Sequence, residues 1–158
     1  MTFFVLNLLL AILWASLQLF RPFDLLSGFV IGYLVLYLTR DWLGEGARSY
    51  ALKIPIFVRF LLYYFKELVI STWEVTVALF SDQSMLRPGI IALPLEARTD
   101  FEIVMLNNLL IFTPGTLGVH LSSDRKTLYV HVIDMADAES ACAKIKGGLE
   151  RRLLEVLR

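Results

Sequence analysis

A chain of 158 residues that is 57% hydrophobic and 13% aromatic, with a mean hydropathy of +0.65, is too apolar for an ordinary soluble domain and reads as membrane-embedded. Fifteen basic and fifteen acidic residues cancel to a formal net charge of zero and form no basic stretch, which leaves no electrostatic footprint for nucleic acid. A single cysteine, Cys142, excludes an intramolecular disulfide and any multi-cysteine metal site.

Residues 2–20, "TFFVLNLLLAILWASLQLF", carry no charge, and at about 1.5 Å per residue they reach roughly 28 Å, close to the hydrocarbon thickness of a bilayer. They are expected to span it. A cleaved signal peptide is the rival reading, but no basic residue precedes the apolar run and no small-x-small site follows it. In "RPFD", residues 21–24, Pro22 restricts Arg21 to extended geometry and turns the chain. Residues 25–39 then form a shorter second span, anchored at an interface by Tyr33, Tyr37 and Trp42. Gly28 and Gly32 lie four apart within it, as Ala11 and Ala15 do in the first helix. Such small-residue faces let helices approach closely, either to zip this hairpin or to receive a helix from a neighbouring chain. Arg40, Arg48 and Lys53 make the loop over 40–53 the basic one, which places it and the N-terminus in the cytoplasm. Residues 1–53 are thus expected to be a transmembrane hairpin with a basic loop.

The next run, residues 54–80, is long and apolar, yet it holds Arg59, Lys66, Glu67 and Glu74. At 100° per residue the four share an arc of about 100°. A lone lipid-exposed span would lose about 2.5–3.5 kcal/mol for each central charge, so this helix is expected to lie in the interface or to turn its charged stripe toward protein or water. Pro55 suits its first turn, and the segment runs over 54–84. The stripe is a candidate subunit contact, or else an ion or proton relay through Glu67 and Glu74, although acid and base alternate closely enough to pair internally.

Residues 85–158 read as a small α+β domain in the order β-α-β-β-α. The first strand lies in residues 87–95, with Pro94 confining it to an edge or an end. In residues 98–112, Phe101, Val104, Met105, Leu109 and Phe112 fall at helical spacing, with Asp100 available as a cap, so a long helix is expected. Residues 116–134 alternate about a polar "SSDRK" turn and predict a β-hairpin. Pairing Ser122 with Thr127 turns Leu117, Val119, Leu121, Leu128, Val130 and Val132 inward and leaves Gly118, His120, Tyr129 and His131 outward. His120 and His131 have no third ligand for a metal and read as an exposed patch. An amphipathic helix over 136–158 closes the domain, with Ala138, Ala141, Cys142, Ile145, Leu149, Leu153 and Val156 on its apolar stripe.

No nucleophile elbow, P-loop, GxGxxG, HExxH or CxxC motif occurs, so a catalytic reading has nothing to rest on and no cofactor is implied. "TPGT", Thr113, Pro114, Gly115 and Thr116, is the most distinctive short element. It reads as a structural turn, because an anion-binding loop opens a helix and this one closes it. "NLLLAILW", the Arg-Pro turn, a "GYL" second span, and "NNLLIFTPGT" followed by "DRKTLYVHVID" together resemble the MrpE/MnhE family, the E-type subunits of the bacterial Mrp/Mnh multisubunit Na+/H+ antiporters. The likeness covers essentially the whole chain and is most specific over residues 107–134. Phe112 departs from the smaller residue expected before the turn.

The resemblance implies an accessory, assembly-supporting subunit that works in the bacterial plasma membrane among other subunits of the complex, with its small domain in the cytoplasm. Ion translocation would then belong mainly to larger subunits. Two other classes stand beside it: a membrane-tethered binding module that recruits a ligand through the His120 face, and a small stand-alone transporter.

Overall fold

A computed structural model describes residues 2–18, 21–81, 86–134 and 138–158. The chain forms two compact units, Met1–Val58 and Arg59–Arg158. The expected termini of the first span and of the long helix, at residues 20 and 84, lie outside the described residues.

In the first unit α1 (Thr2–Ser16) and α2 (Pro22–Leu38) pack as an antiparallel hairpin. Pro22 opens α2, where a missing N–H costs nothing, and the Asp24 carboxylate accepts the Arg21 N–H at 2.9 Å. Asn7, Ala11 and Ala15 face Gly28 and Gly32 along one buried seam. A methyl on Gly28 would lie 2.9 Å from the Ala11 carbonyl and from Trp14 Cβ, and one on Gly32 would meet the Asn7 side chain. The small residues therefore join the hairpin's own two helices. Among the described residues no helix is long and apolar enough to cross a membrane. α1 has 15 residues rather than the nineteen expected, because the chain turns after Ser16, and α2 has 17.

α3 (Glu45–Phe80) starts nine residues earlier than the sequence suggests, so most of the supposed basic loop is helical and Pro55 lies in the helix interior. It begins after Gly44, whose φ of +87° suits glycine. Interior proline removes the hydrogen bond to the carbonyl four residues back. That carbonyl belongs to Ala51, and the Tyr33 hydroxyl donates to it at 2.9 Å. The side chain of α2 thus replaces the missing backbone donor.

In the second unit β1 (Gly89–Pro94), β3 (Thr127–Val132) and β2 (Thr116–Leu121) form an antiparallel sheet in the order β1-β3-β2. α4 (Asp100–Phe112), α5 (Ala138–Lys144) and α6 (Arg151–Leu157) complete the expected β-α-β-β-α order, and a π-helical turn over Ile145–Glu150 joins the last two. Phe60 of α3, Ile91, Leu93, Leu106, Leu110, Leu128, Val130, Val132, Leu149 and Leu153 make the main core. The compact unit thus includes the second part of α3, so the expected boundary between residues 84 and 85 does not separate helix from domain.

Two packing expectations are overturned. Thr99, not Asp100, caps α4, and Glu102 reaches back to the Thr99 N–H in a capping box. The helix buries Ile103, Leu106 and Leu110 and packs Met105 and Leu109 half-buried against the core, leaving Phe101 63% and Phe112 72% exposed and Val104 outward as well. Apolar residues occupy both sides of α4, so spacing alone could not say which side meets the sheet. In the hairpin, Ser122 does pair with Thr127, but an irregularity between Gly118 and His120 inserts Val119 as an extra residue. Beyond it the faces exchange. Gly118 turns inward opposite Val130, while Leu117 and Val119 are 49% and 54% exposed. Inward Gly118 leaves room for Asn107 of α4, whose side-chain oxygen occupies the space that a methyl would take.

Candidate functional site

The charged arc of α3 faces its own domain on one side. Arg59 donates to Glu155 Oε2 at 3.0 Å, and Glu67 pairs with Lys144 at 3.8 Å. The Tyr64 hydroxyl donates to the Leu109 carbonyl at 3.0 Å, fixing the helix to the end of α4. Lys66 and Glu74 are exposed. The expected internal pairing of the stripe gives way to partners from α5 and α6, because Lys66 and Glu67, adjacent in sequence, point about 100° apart.

A cleft of about 740 Å³ opens between the later turns of α3 and the turn after α4. Glu67, Glu74, Thr113, Thr116, Asp134 and Lys144 contribute polar groups above apolar Leu110, Val132 and Leu149. Two stripe residues and the TPGT element therefore meet in one place. Within the turn, Thr113 Oγ1 donates to the Leu109 carbonyl at 2.8 Å, and Thr116 Oγ1 to the Leu110 carbonyl at 2.6 Å. Gly115 adopts φ +87° and its carbonyl accepts the Ile133 N–H. Both threonines are spent on helix-end carbonyls, which makes the turn a C-terminal clasp for α4. Among the described residues no group of three or more His, Cys, Asp or Glu side chains is placed to hold a metal ion.

One face of the sheet is uncovered. Ile90, His131 and Leu117 lie in register across it, as do Ala92, Tyr129 and His120 in the next row. The His120 and Tyr129 rings stack with centroids 6.0 Å apart. His131 is half-buried, whereas His120 and Tyr129 are exposed.

Sequence reasoning missed two carboxylates. Glu150, only 1% exposed, accepts the N–H groups of Glu96 and Ala97 at 2.6 and 3.0 Å. Glu102 accepts those of Arg98 and Thr99 and pairs with Arg158 at 3.0 Å. Together they saturate the loop between β1 and α4. The Arg158 guanidinium foremost, and then these two amides, hold the Glu102 carboxyl down at about 2. The T-x-x-E spacing of Thr99 and Glu102 is a legible capping signal, but Glu150 has none: it is turned inward within the π-helical turn. Burial pushes the Cys142 thiol up, consistent with its place on the core side of α5.

A family model described as Na+/H+ ion antiporter subunit matches residues 7–156. The chain is 33% identical to the E subunit of the Na(+)/H(+) antiporter of Alkalihalophilus pseudofirmus over 96% of both chains. It is also 33% identical to the corresponding E subunit of Bacillus subtilis, over 98% of this chain and 97% of that one. Among solved structures, a chain of the Mrp complex from Dietzia sp. DQ12-45-1b is 26% identical, with a TM-score of 0.50 over 65% of this chain and 96% of that chain. A chain of the archaeal membrane-bound sulfane sulfur reductase shares the fold, with a TM-score of 0.58 at 18% identity over 98% of each. The chain belongs to the MnhE family of Na+/H+ antiporter subunits.

Proposed function

We propose that this protein is an accessory, assembly-supporting subunit of a multisubunit Na+/H+ antiporter complex in the bacterial plasma membrane, contributing contact surfaces and not the main ion path. The observation that carries the accessory role is the use made of the α3 charges: Arg59 and Glu67 are committed to Glu155 and Lys144, holding helix to domain. Family membership supplies the complex.

α1 and α2, roughly 22 and 25 Å long, would span a locally thinned bilayer, with outward Leu9, Leu13, Phe23 and Leu38 against lipid. α3 beyond Arg59 would lie in the interface. Leu62, Phe65, Val69 and Trp73 form an uncharged outer face there, with Phe65 67% and Trp73 69% exposed. The basic residues Arg40, Arg48 and Lys53 favour the cytoplasmic side for the domain.

Purification of a C-terminally tagged copy from its native membrane in mild detergent, followed by mass spectrometry, is expected to return large antiporter-like chains. Elution alone would refute the assignment. E67Q and E74Q are expected to leave antiport in membrane vesicles intact; its loss with the complex still assembled would transfer these carboxylates to the ion path.

A further inference from the structure

A second hollow, about 380 Å³, is lined by Arg59, Tyr63, Gly147, Arg151, Arg152 and Glu155. Arg152 lies 4.0 Å over the Tyr63 ring and donates to the carbonyls of Gly147 and Gly148, both at 3.1 Å. Its position is fixed by stacking and by the π-helical turn. Arg59 and Arg151 hold the two oxygens of one carboxylate, Glu155, at 3.0 and 3.2 Å. Three guanidinium groups thus line a hollow that holds one carboxylate, Glu155, which pairs with Arg59 and Arg151 while Arg152 is held by backbone carbonyls and a ring, an excess of two positive charges. The pairs shown use one N–H of Arg59 and one of Arg151, and each guanidinium carries five. The neighbouring lysines are committed elsewhere, Lys144 to Glu67 and Lys146 to Glu96.

The placement of this cluster indicates what it takes. On the α3 wheel the uncharged face of Leu62, Phe65, Val69 and Trp73 ends about 40° from Arg59. When that face enters the acyl region, the guanidinium groups stand at the level of the headgroups. We propose that this hollow binds the phosphate of an anionic phospholipid, with Arg59 and Arg151 gripping its oxygens beside the Arg152–Tyr63 stack. Planar guanidinium groups match a phosphate in bidentate fashion, and the apolar α3 face receives the chains. Glu155 is the internal competitor for the same donors. This inference rests on the interfacial placement of α3 proposed above.

The test uses the purified full-length chain, delipidated in a neutral detergent and titrated with phosphatidylglycerol, phosphatidylcholine or inorganic phosphate, with bound lipid counted by native mass spectrometry. Phosphatidylglycerol is expected to be retained preferentially, and added salt to weaken it. R59Q and R151Q should each weaken retention about fivefold. E155Q should strengthen it, which a purely structural role for the cluster would not produce. K126Q, in the hairpin turn and outside the hollow, should change nothing. Equal retention of the two lipids, unchanged retention in both arginine variants, or displacement of phosphatidylglycerol by an equal concentration of inorganic phosphate would each overturn the proposal. Quenching of Trp73 by brominated phosphatidylcholine in nanodiscs, on a W14F/W42F background, reads the interfacial placement separately, so failure of either idea is distinguishable.

Discussion

Glu150→Ala removes an acceptor that the second unit cannot replace. The Glu150 Oε1 atom takes two backbone donors, the N–H groups of Glu96 and Ala97, at a site excluded from water. Leaving a buried donor unpaired costs about 1–3 kcal/mol, so two stranded amides cost about 2–6 kcal/mol before any term for the space vacated. A domain of this size is stable by only about 5–15 kcal/mol, and each kcal/mol moves its melting point by about 4–8 °C. Thermal unfolding of the full-length chain in detergent, followed by circular dichroism, should therefore show the Ala variant melting at least about 8 °C below the parent. Glu150→Gln keeps an oxygen for both amides and should fall between the two. If Ala and Gln behave alike, the carboxylate is not organising the loop. If the Ala variant melts within a degree or two of the parent, the account of the loop is wrong.

Gly118→Ala should destabilise the domain by about 1–3 kcal/mol, because its methyl falls on the Asn107 side chain, and N107A should rescue it in a double-mutant melt. Tyr33→Phe strands the Ala51 carbonyl that Pro55 leaves open; a loss of about 1–3 kcal/mol is expected, and little loss once Pro55→Ala restores a helical N–H in the same chain. Glu102 ionises in the folded chain well below the usual carboxylate value, so its stabilisation is complete above about pH 4.5 and drains away as the pH falls toward about 2. Melts between pH 5 and pH 2 should show a shallower acid-side decline in E102Q than in the parent. Cys142, with its thiol pushed up by burial, should react with iodoacetamide at pH 8 more slowly than a free cysteine peptide, and equal rates would refute its inward placement.

Strand alternation about "SSDRK" made the hairpin readable, and the Pro-Gly and Arg-Pro punctuation marked the turns, because these signals depend on residues close in sequence. The order β-α-β-β-α followed from the same local patterns. What failed were statements about faces. α4 carries apolar residues all round, and the core claims Ile103, Leu106 and Leu110 because the sheet packs on that side. One extra residue at Val119 reverses the outer end of β2, and the Asn107 side chain that sits against the inward Gly118 lies on another element.

The candidate site divides in the same way. The four charges of α3 share an arc by arithmetic alone, and Gly28, Gly32, Ala11 and Ala15 mark a close approach by their size. Their partners were not legible, since Arg59 and Glu155 are joined across 96 positions and Glu67 and Lys144 across the whole intervening sheet. Nor does any pattern foretell that Glu150 turns inward or that Tyr33 serves a carbonyl freed by Pro55. Composition and periodicity by themselves determined an apolar first half and a small α+β second half, because those are sums over neighbours in the chain, while the family likeness rested on the resemblance of short motifs such as "NNLLIFTPGT". Only the tertiary structure decided which face is buried, which carboxylate meets which amide and where three arginines converge, because each depends on atoms brought together by packing.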